Sequence, residues 1–123
     1  MKNKRIKVDI KPCPKVYIAG KMTGLSPEEF MPLFQKASNK LKLWGFDVVN
    51  PCDISVSIMK RNNWNWDEAF LPEHREIFVL EDNKALLECN GIYLLTNYKN
   101  SPGALFELDL AQRSGMFVIY EEK

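Results

Sequence analysis

Four short runs rich in β-branched and aromatic residues, KVYIAG at 15–20, FDVVN at 46–50, GIYLLT at 91–96 and MFVIY at 116–120, constrain what this chain can fold into more than anything else in it. Each has the length of one strand and stops at a glycine, a proline or a polar loop. The stretches between them are too long for hairpin turns and carry helix signals instead. Strands joined through helices pair in parallel, because a right-handed crossover is the common way to bring a second strand back beside the first. The expected fold is α/β: a small Rossmann-like or flavodoxin-like parallel sheet with helices on both faces.

The helix signals are specific. Ser26, Pro27 and Glu29 supply an N-cap, a proline at the first helical position and a capping-box acid, opening a helix that Gly45 closes. Phe30, Leu33, Phe34, Ala37, Leu41 and Trp44 recur at intervals of three and four, its expected apolar stripe. Pro51 ends the second strand, and the polar stretch 52–65 is too irregular to assign. From Trp66 to Glu88 the pattern is helical again with an interruption at Pro72, and Ile77, Leu80, Lys84 and Leu87 are its repeating positions. Ser101-Pro102 opens the last helix, which runs to Arg113 and closes at Ser114-Gly115.

A length of 123 residues suits one domain. The expected organisation is a basic, mobile arm over 1–14 and a single domain over 15–123. A net charge of +1 provides no whole-molecule field to gather nucleic acid or an anionic membrane, so neither is an expected partner. The arm, with six basic side chains against Asp9 in residues 1–15, is the one segment that could touch either. No apolar run is long enough to span a bilayer and no cleavable leader follows the basic start, which makes the expected location cytoplasmic. Three cysteines without a Cys-x-x-Cys pair and a single histidine encode neither a disulfide framework nor a Cys/His metal site. No metal or cofactor is expected, Cys89 is expected in the core and His74 on the surface. The seven acids between residues 66 and 90 read mostly as a solvated helix face.

In a doubly wound sheet, ligands bind outside the carboxyl ends of the strands at the topological switch point. That rule nominates loops 20–26, 50–65 and 96–103. Gly20-Lys21-Met22-Thr23-Gly24 can present backbone N–H groups, a lysine and a hydroxyl to an anion, although it matches neither a Walker A loop nor Gly-x-Gly-x-x-Gly, and a plain turn explains it too. Ser101-Pro102-Gly103-Ala104 leaves N–H groups at a helix start, where the dipole favours negative charge; a cap that binds nothing is the alternative. Glu107 stands three residues after Ala104 and four before Ala111, a carboxylate on a small-residue stripe near a helix N-terminus that favours its ionised form. Asp82 lies near the sheet's upper rim unless it faces solvent, since the residues between it and the third strand rise roughly 12 Å as helix. Trp64-Asn65-Trp66 reads as a base-stacking lid, a subunit contact or a staple into the core.

Tyr17-Ile18-Ala19-Gly20 with Met22-Thr23-Gly24, Asp82 before Leu86-Leu87, and Ser101-x-Gly-Ala-x-x-Glu107 with Ala111 and Gly115 together resemble the nucleoside 2-deoxyribosyltransferase-like superfamily, and most closely its small bacterial and phage members. The resemblance runs from about Lys15 to Tyr120 and is poor over 52–70. It implies that Glu107 is the nucleophile on the anomeric carbon of a 2-deoxyribose, that Asp82 protonates the departing base and that Tyr17 orients Glu107. Ser101 matches a serine that holds a 5′-phosphate in related deoxynucleoside-monophosphate glycosidases; Gly20, Lys21, Met22, Gly103 and Ala104 would line the substrate. The implied partner is a small nucleoside or nucleotide, the implied activity N-glycosidase or 2-deoxyribosyltransferase, and the implied assembly a homodimer or higher homo-oligomer. Asn90 stands where relatives usually show aspartate, and Lys21 where they show proline or serine. The alternative is a non-catalytic sensor or interaction domain that uses the same cleft, a reading that Asn90 favours.

Overall fold

Alternation in the first strand sets the two sides of the molecule. In the computed structural model, which describes residues 13–122, strand β1 (Lys15–Ala19) sends Val16 and Ile18 to one face and Tyr17 and Ala19 to the other, and all four are fully buried. It lies between β2 (Asp47–Val49) and β3 (Gly91–Leu94), and β4 (Phe117–Tyr120) pairs with β3. All pairings are parallel and the order is β2-β1-β3-β4. Burial on both faces explains why the central strands read as nearly continuous apolar runs.

Helix α1 (Pro27–Leu43) covers the Val16 face, packing Phe30, Phe34, Ala37 and Leu41 against Ile18 and Tyr93. Its capping box forms as expected, with Ser26 Oγ accepting from the Glu29 N–H and the Glu29 carboxylate accepting from the Ser26 N–H. Gly45, at φ 95°, takes the left-handed conformation that ends it. Leu33 and Trp44 depart from the expected stripe. They sit at its edges and are 42% and 57% exposed, and the Lys40 ammonium lies 5.8 Å from the Trp44 ring centre.

The Tyr17 face carries α4 (Arg75–Leu87) and α5 (Pro102–Arg113), with Leu86, Ala104 and Ala111 packed against Tyr17, Ile92 and Leu94. The chain thus leaves β1 toward one face and returns to β3 over the other, which puts the switch point between β1 and β3. Two expectations are corrected on this side. Residues 51–62 are not loop but helix α2 (Pro51–Asn62), because Asn50 caps it by accepting from the Cys52 N–H at 2.9 Å and Pro51 takes the first position. The repeating positions Leu80, Lys84 and Leu87 of α4 face outward, Leu80 at 60% and Leu87 at 53% exposed. The inward side is instead Phe78, Asp82, Leu86 and, just past the helix, Cys89. Apolar residues lie on both sides of this helix, so periodicity alone selects the wrong phase.

Between α2 and α4 lie the short helix α3 (Trp66–Ala69) and a 3-10 turn at Pro72–His74, the interruption expected at Pro72. His74 is not a bare surface residue: its ring stacks on Trp64 at 3.7 Å and its Nδ1 lies 2.7 Å from the Glu68 carbonyl. Cys52 and Cys89 are buried free thiols pushed up by burial, to about 12 and about 11, and Cys13 is exposed. Among the described residues no helix is long and apolar enough to cross a membrane, and no cluster of side chains could hold a metal ion. The expected arm lies outside the described residues up to residue 12, while the Pro14 carbonyl already accepts from the Asp47 N–H at 2.9 Å.

Candidate active site

The carboxyl ends of β1 and β3 open into a cavity of about 850 Å³. Tyr17, Gly20, Lys21 and Met22 reach it from β1 and the loop after it, Asp82 from α4, and Ser101, Gly103, Ala104 and Glu107 from α5. Every residue expected at the site therefore lines one space. Gly20 makes the loop's close approach possible, because a Cβ there would meet the buried Leu95 side chain at 2.5 Å. The Lys21 N–H donates to Asn97 Oδ1 at 3.0 Å, which ties the loop after β1 to the loop after β3.

Ala104 and Ala111, both buried, bring α5 close to the sheet. Glu107, one turn from each, reaches across to β1, where the Tyr17 hydroxyl donates to its Oε2 at 2.7 Å. Burial pushes the Glu107 carboxyl up to about 7, opposed by that hydrogen bond. The helix start favours the ionised form, and burial works against it by holding the proton toward neutral pH. The Tyr17 phenol is driven well above its ordinary range by burial first and by the Glu107 and Asp82 charges next, so it remains a donor.

Asp82 turns inward, against the solvent-facing alternative. Its Oδ1 is buried without a hydrogen-bond partner, and burial, followed by the charges of Glu107 and Glu81, pushes the carboxyl up to about 8. Two carboxyl groups whose protons burial holds toward neutral pH thus share one cleft, Glu107 oriented by a phenol and Asp82 with a buried oxygen left without a partner. Such a pair supplies an acid and a base or nucleophile at neutral pH.

At the head of α5, Ser101 Oγ accepts from the Ala104 N–H at 3.1 Å. That N–H was expected to be free for a ligand; here the serine uses it. The Gly103 N–H and the Ser101 hydroxyl proton remain, and a Cβ on Gly103 would meet nothing closer than Ser101 Oγ at 3.9 Å, so the space over it is open. Trp66 lines the cavity and also packs edge-on to Phe30 at 5.5 Å, serving both as wall and as core. Trp64 takes no part in the cavity wall. Asn90 lies at the opposite end of the sheet, its Oδ1 accepting from the Lys15 N–H at 2.9 Å, which makes it a strand-start bond rather than a site residue.

Sequence reasoning missed Ser55, Arg75, Phe78 and Asn83, which also line the cavity. For Arg75 and Phe78 the available signal was their helical spacing from Asp82, and for Asn83 its spacing of four from Val79. For Ser55 it was the Asn50-Pro51 pair, which repeats the start signal of Ser26-Pro27.

The fold and site define a class: a doubly wound α/β domain with a carboxylate pair at its switch point. Residues 14–120 match the family described as Domain of unknown function (DUF4406), and the chain belongs to that family. No curated protein matches the chain.

Proposed function

We propose that this protein cleaves the N-glycosidic bond of a 2′-deoxynucleoside 5′-monophosphate, as its resemblance to the nucleoside 2-deoxyribosyltransferase-like superfamily suggests. One observation carries the reading: Glu107, held by Tyr17, and the partnerless, proton-retaining Asp82 face the same cavity. Breaking the bond builds oxocarbenium character on the sugar, which a carboxylate stabilises or traps, and the base leaves only if one of its nitrogens is protonated. A 2-deoxy sugar lacks the electron-withdrawing hydroxyl that disfavours this charge. Glu107 Oε1, free of the tyrosine bond, attacks C1′; the C1′–N bond pair goes to the base, which takes its proton from Asp82. The resulting ester passes its sugar to water, as in a hydrolase, or to a second base, as in a transferase.

The 5′-phosphate sits at the start of α5, accepting from the Gly103 N–H and the Ser101 hydroxyl with the helix dipole behind them and Lys21 nearby. The monophosphate is therefore preferred to the nucleoside. Ser101→Asp, which sets a carboxylate against the phosphate, is expected to reverse that order, with roughly ten- to a hundredfold lost for each charge-assisted bond. Ser101→Ala should cost less, because it frees the Ala104 N–H. Steady-state rates on a deoxynucleoside and its monophosphate measure this. An unchanged ratio in Ser101→Asp would reduce Ser101 to a helix cap.

A further inference from the structure

Helix α4 meets the cavity with Arg75, Phe78, Val79, Asp82 and Asn83, spaced by three and four, so that these residues form one stripe. Arg75 begins the helix, two turns or about 10 Å of rise from Asp82. It is exposed at the mouth, and among the described residues it has no ion-pair or hydrogen-bond partner; the two ion pairs there join Arg61 to Glu81 and Arg113 to Asp109. Between Arg75 and Asp82 the wall of the stripe is Phe78 and Val79, and Trp66 and Phe70 contribute further apolar surface to the same cavity. A slot with apolar sides, a protonated carboxyl at one end and a free guanidinium at the other suits a flat, uncharged ring that accepts at both ends.

The geometry points to Arg75 as the residue that reads the base, and to a 6-oxopurine as the base it selects. This rests on the activity proposed above, which places the leaving base against Asp82. The helix rise of about 10 Å separates the two backbones, and the long, flexible Arg75 side chain can fold along the Phe78–Val79 wall toward Asp82 to bracket a purine, which is roughly 4 Å from N3 to its O6/N7 edge, with a hydrogen bond of about 3 Å at each end. With N3 protonated by Asp82, O6 and N7 face Arg75. The guanidinium is a fork of donors with no acceptor, so it pairs with both atoms of guanine or hypoxanthine, whereas adenine offers it an amino donor in place of O6. Pyrimidines present a single carbonyl at that end and are shorter.

The test compares base release from the 2′-deoxy 5′-monophosphates of guanine, hypoxanthine, adenine and thymine by wild type, Arg75→Ala and Arg75→Gln. Wild type is expected to favour the two 6-oxopurines by roughly ten- to a hundredfold in kcat/KM. Arg75→Ala should erase the preference while leaving adenine turnover in place, and Arg75→Gln should move it toward adenine, which glutamine pairs with. Equal loss on all four would make Arg75 a phosphate contact and overturn the assignment. Calorimetric binding of the guanine and adenine nucleotides to Glu107→Gln separates this inference from the activity. A guanine preference lost in Glu107→Gln/Arg75→Ala upholds Arg75 even if wild type releases no base; equal binding of both nucleotides, or binding of neither, contradicts it.

Discussion

Glu107→Ala should abolish base release, by roughly a thousandfold or more, in a protein that stays folded. The group lost is the one that bonds to the sugar, and α5 keeps its packing through Ala104 and Ala111. The substitution also leaves the buried Tyr17 hydroxyl without its acceptor, which costs about 1–3 kcal/mol. Glu107→Gln avoids that cost, since its amide oxygen can still accept from Tyr17, and it should be equally inactive because an amide does not attack C1′. Circular dichroism and thermal melts establish the fold, and single-turnover assays the rate. Turnover at the wild-type rate in either variant would remove Glu107 from the chemistry.

Asp82→Asn should produce the second large effect, and its size should depend on the leaving group. The acid is needed in its protonated form and the nucleophile in its ionised form. Activity should therefore rise as pH climbs through the Glu107 value of about 7 and fall as it passes the Asp82 value of about 8, a narrow bell whose two limbs belong to the coupled pair. In Asp82→Asn the alkaline limb should disappear. Natural bases should suffer by roughly a hundredfold or more, while activated leaving groups that need no proton should be nearly unaffected. Equal loss on both would make Asp82 a positioning residue. Stability should move the opposite way. An unfolded aspartate releases its proton near pH 4, but in the folded protein Asp82 holds it to about 8, so wild-type stability falls as pH rises through that interval. The asparagine variant, with no charge to bury, should lose less stability over the same range and melt above wild type at its upper end.

Where several physical signals agreed, the fold was legible in the amino-acid order. Ser26-Pro27-Glu29 and Ser101-Pro102 cap helices as their side chains dictate, and the runs around Tyr17 and Ile92 are strands because both of their faces are covered. Legibility failed where one residue serves two purposes. Pro51 ends a strand and also begins a helix, and a proline after an apolar run signals the first more strongly than the second. On α4 the apolar phase through Leu80 and Leu87 looked like the core face, yet the protein turns Asp82 inward and leaves the leucines in solvent. A buried carboxyl oxygen without a partner breaks the rule that buried polar groups are hydrogen-bonded, and such breaks fall at functional sites. Glu107 was easier to find, because its small-residue neighbours announced close packing. Arg75 stayed hidden, since a cation at a helix start reads as surface until the cavity behind it is seen.

The most direct measurement is chromatographic detection of free base after incubating the protein with a panel of 2′-deoxynucleoside 5′-monophosphates, the matching nucleosides and the ribonucleotides. Free base should accumulate from the deoxy monophosphates, more slowly from the nucleosides and far more slowly from the ribonucleotides, in step with enzyme concentration and not at all with Glu107→Ala. Saturable nucleotide binding without any free base would contradict the account and make the same cleft that of a sensor.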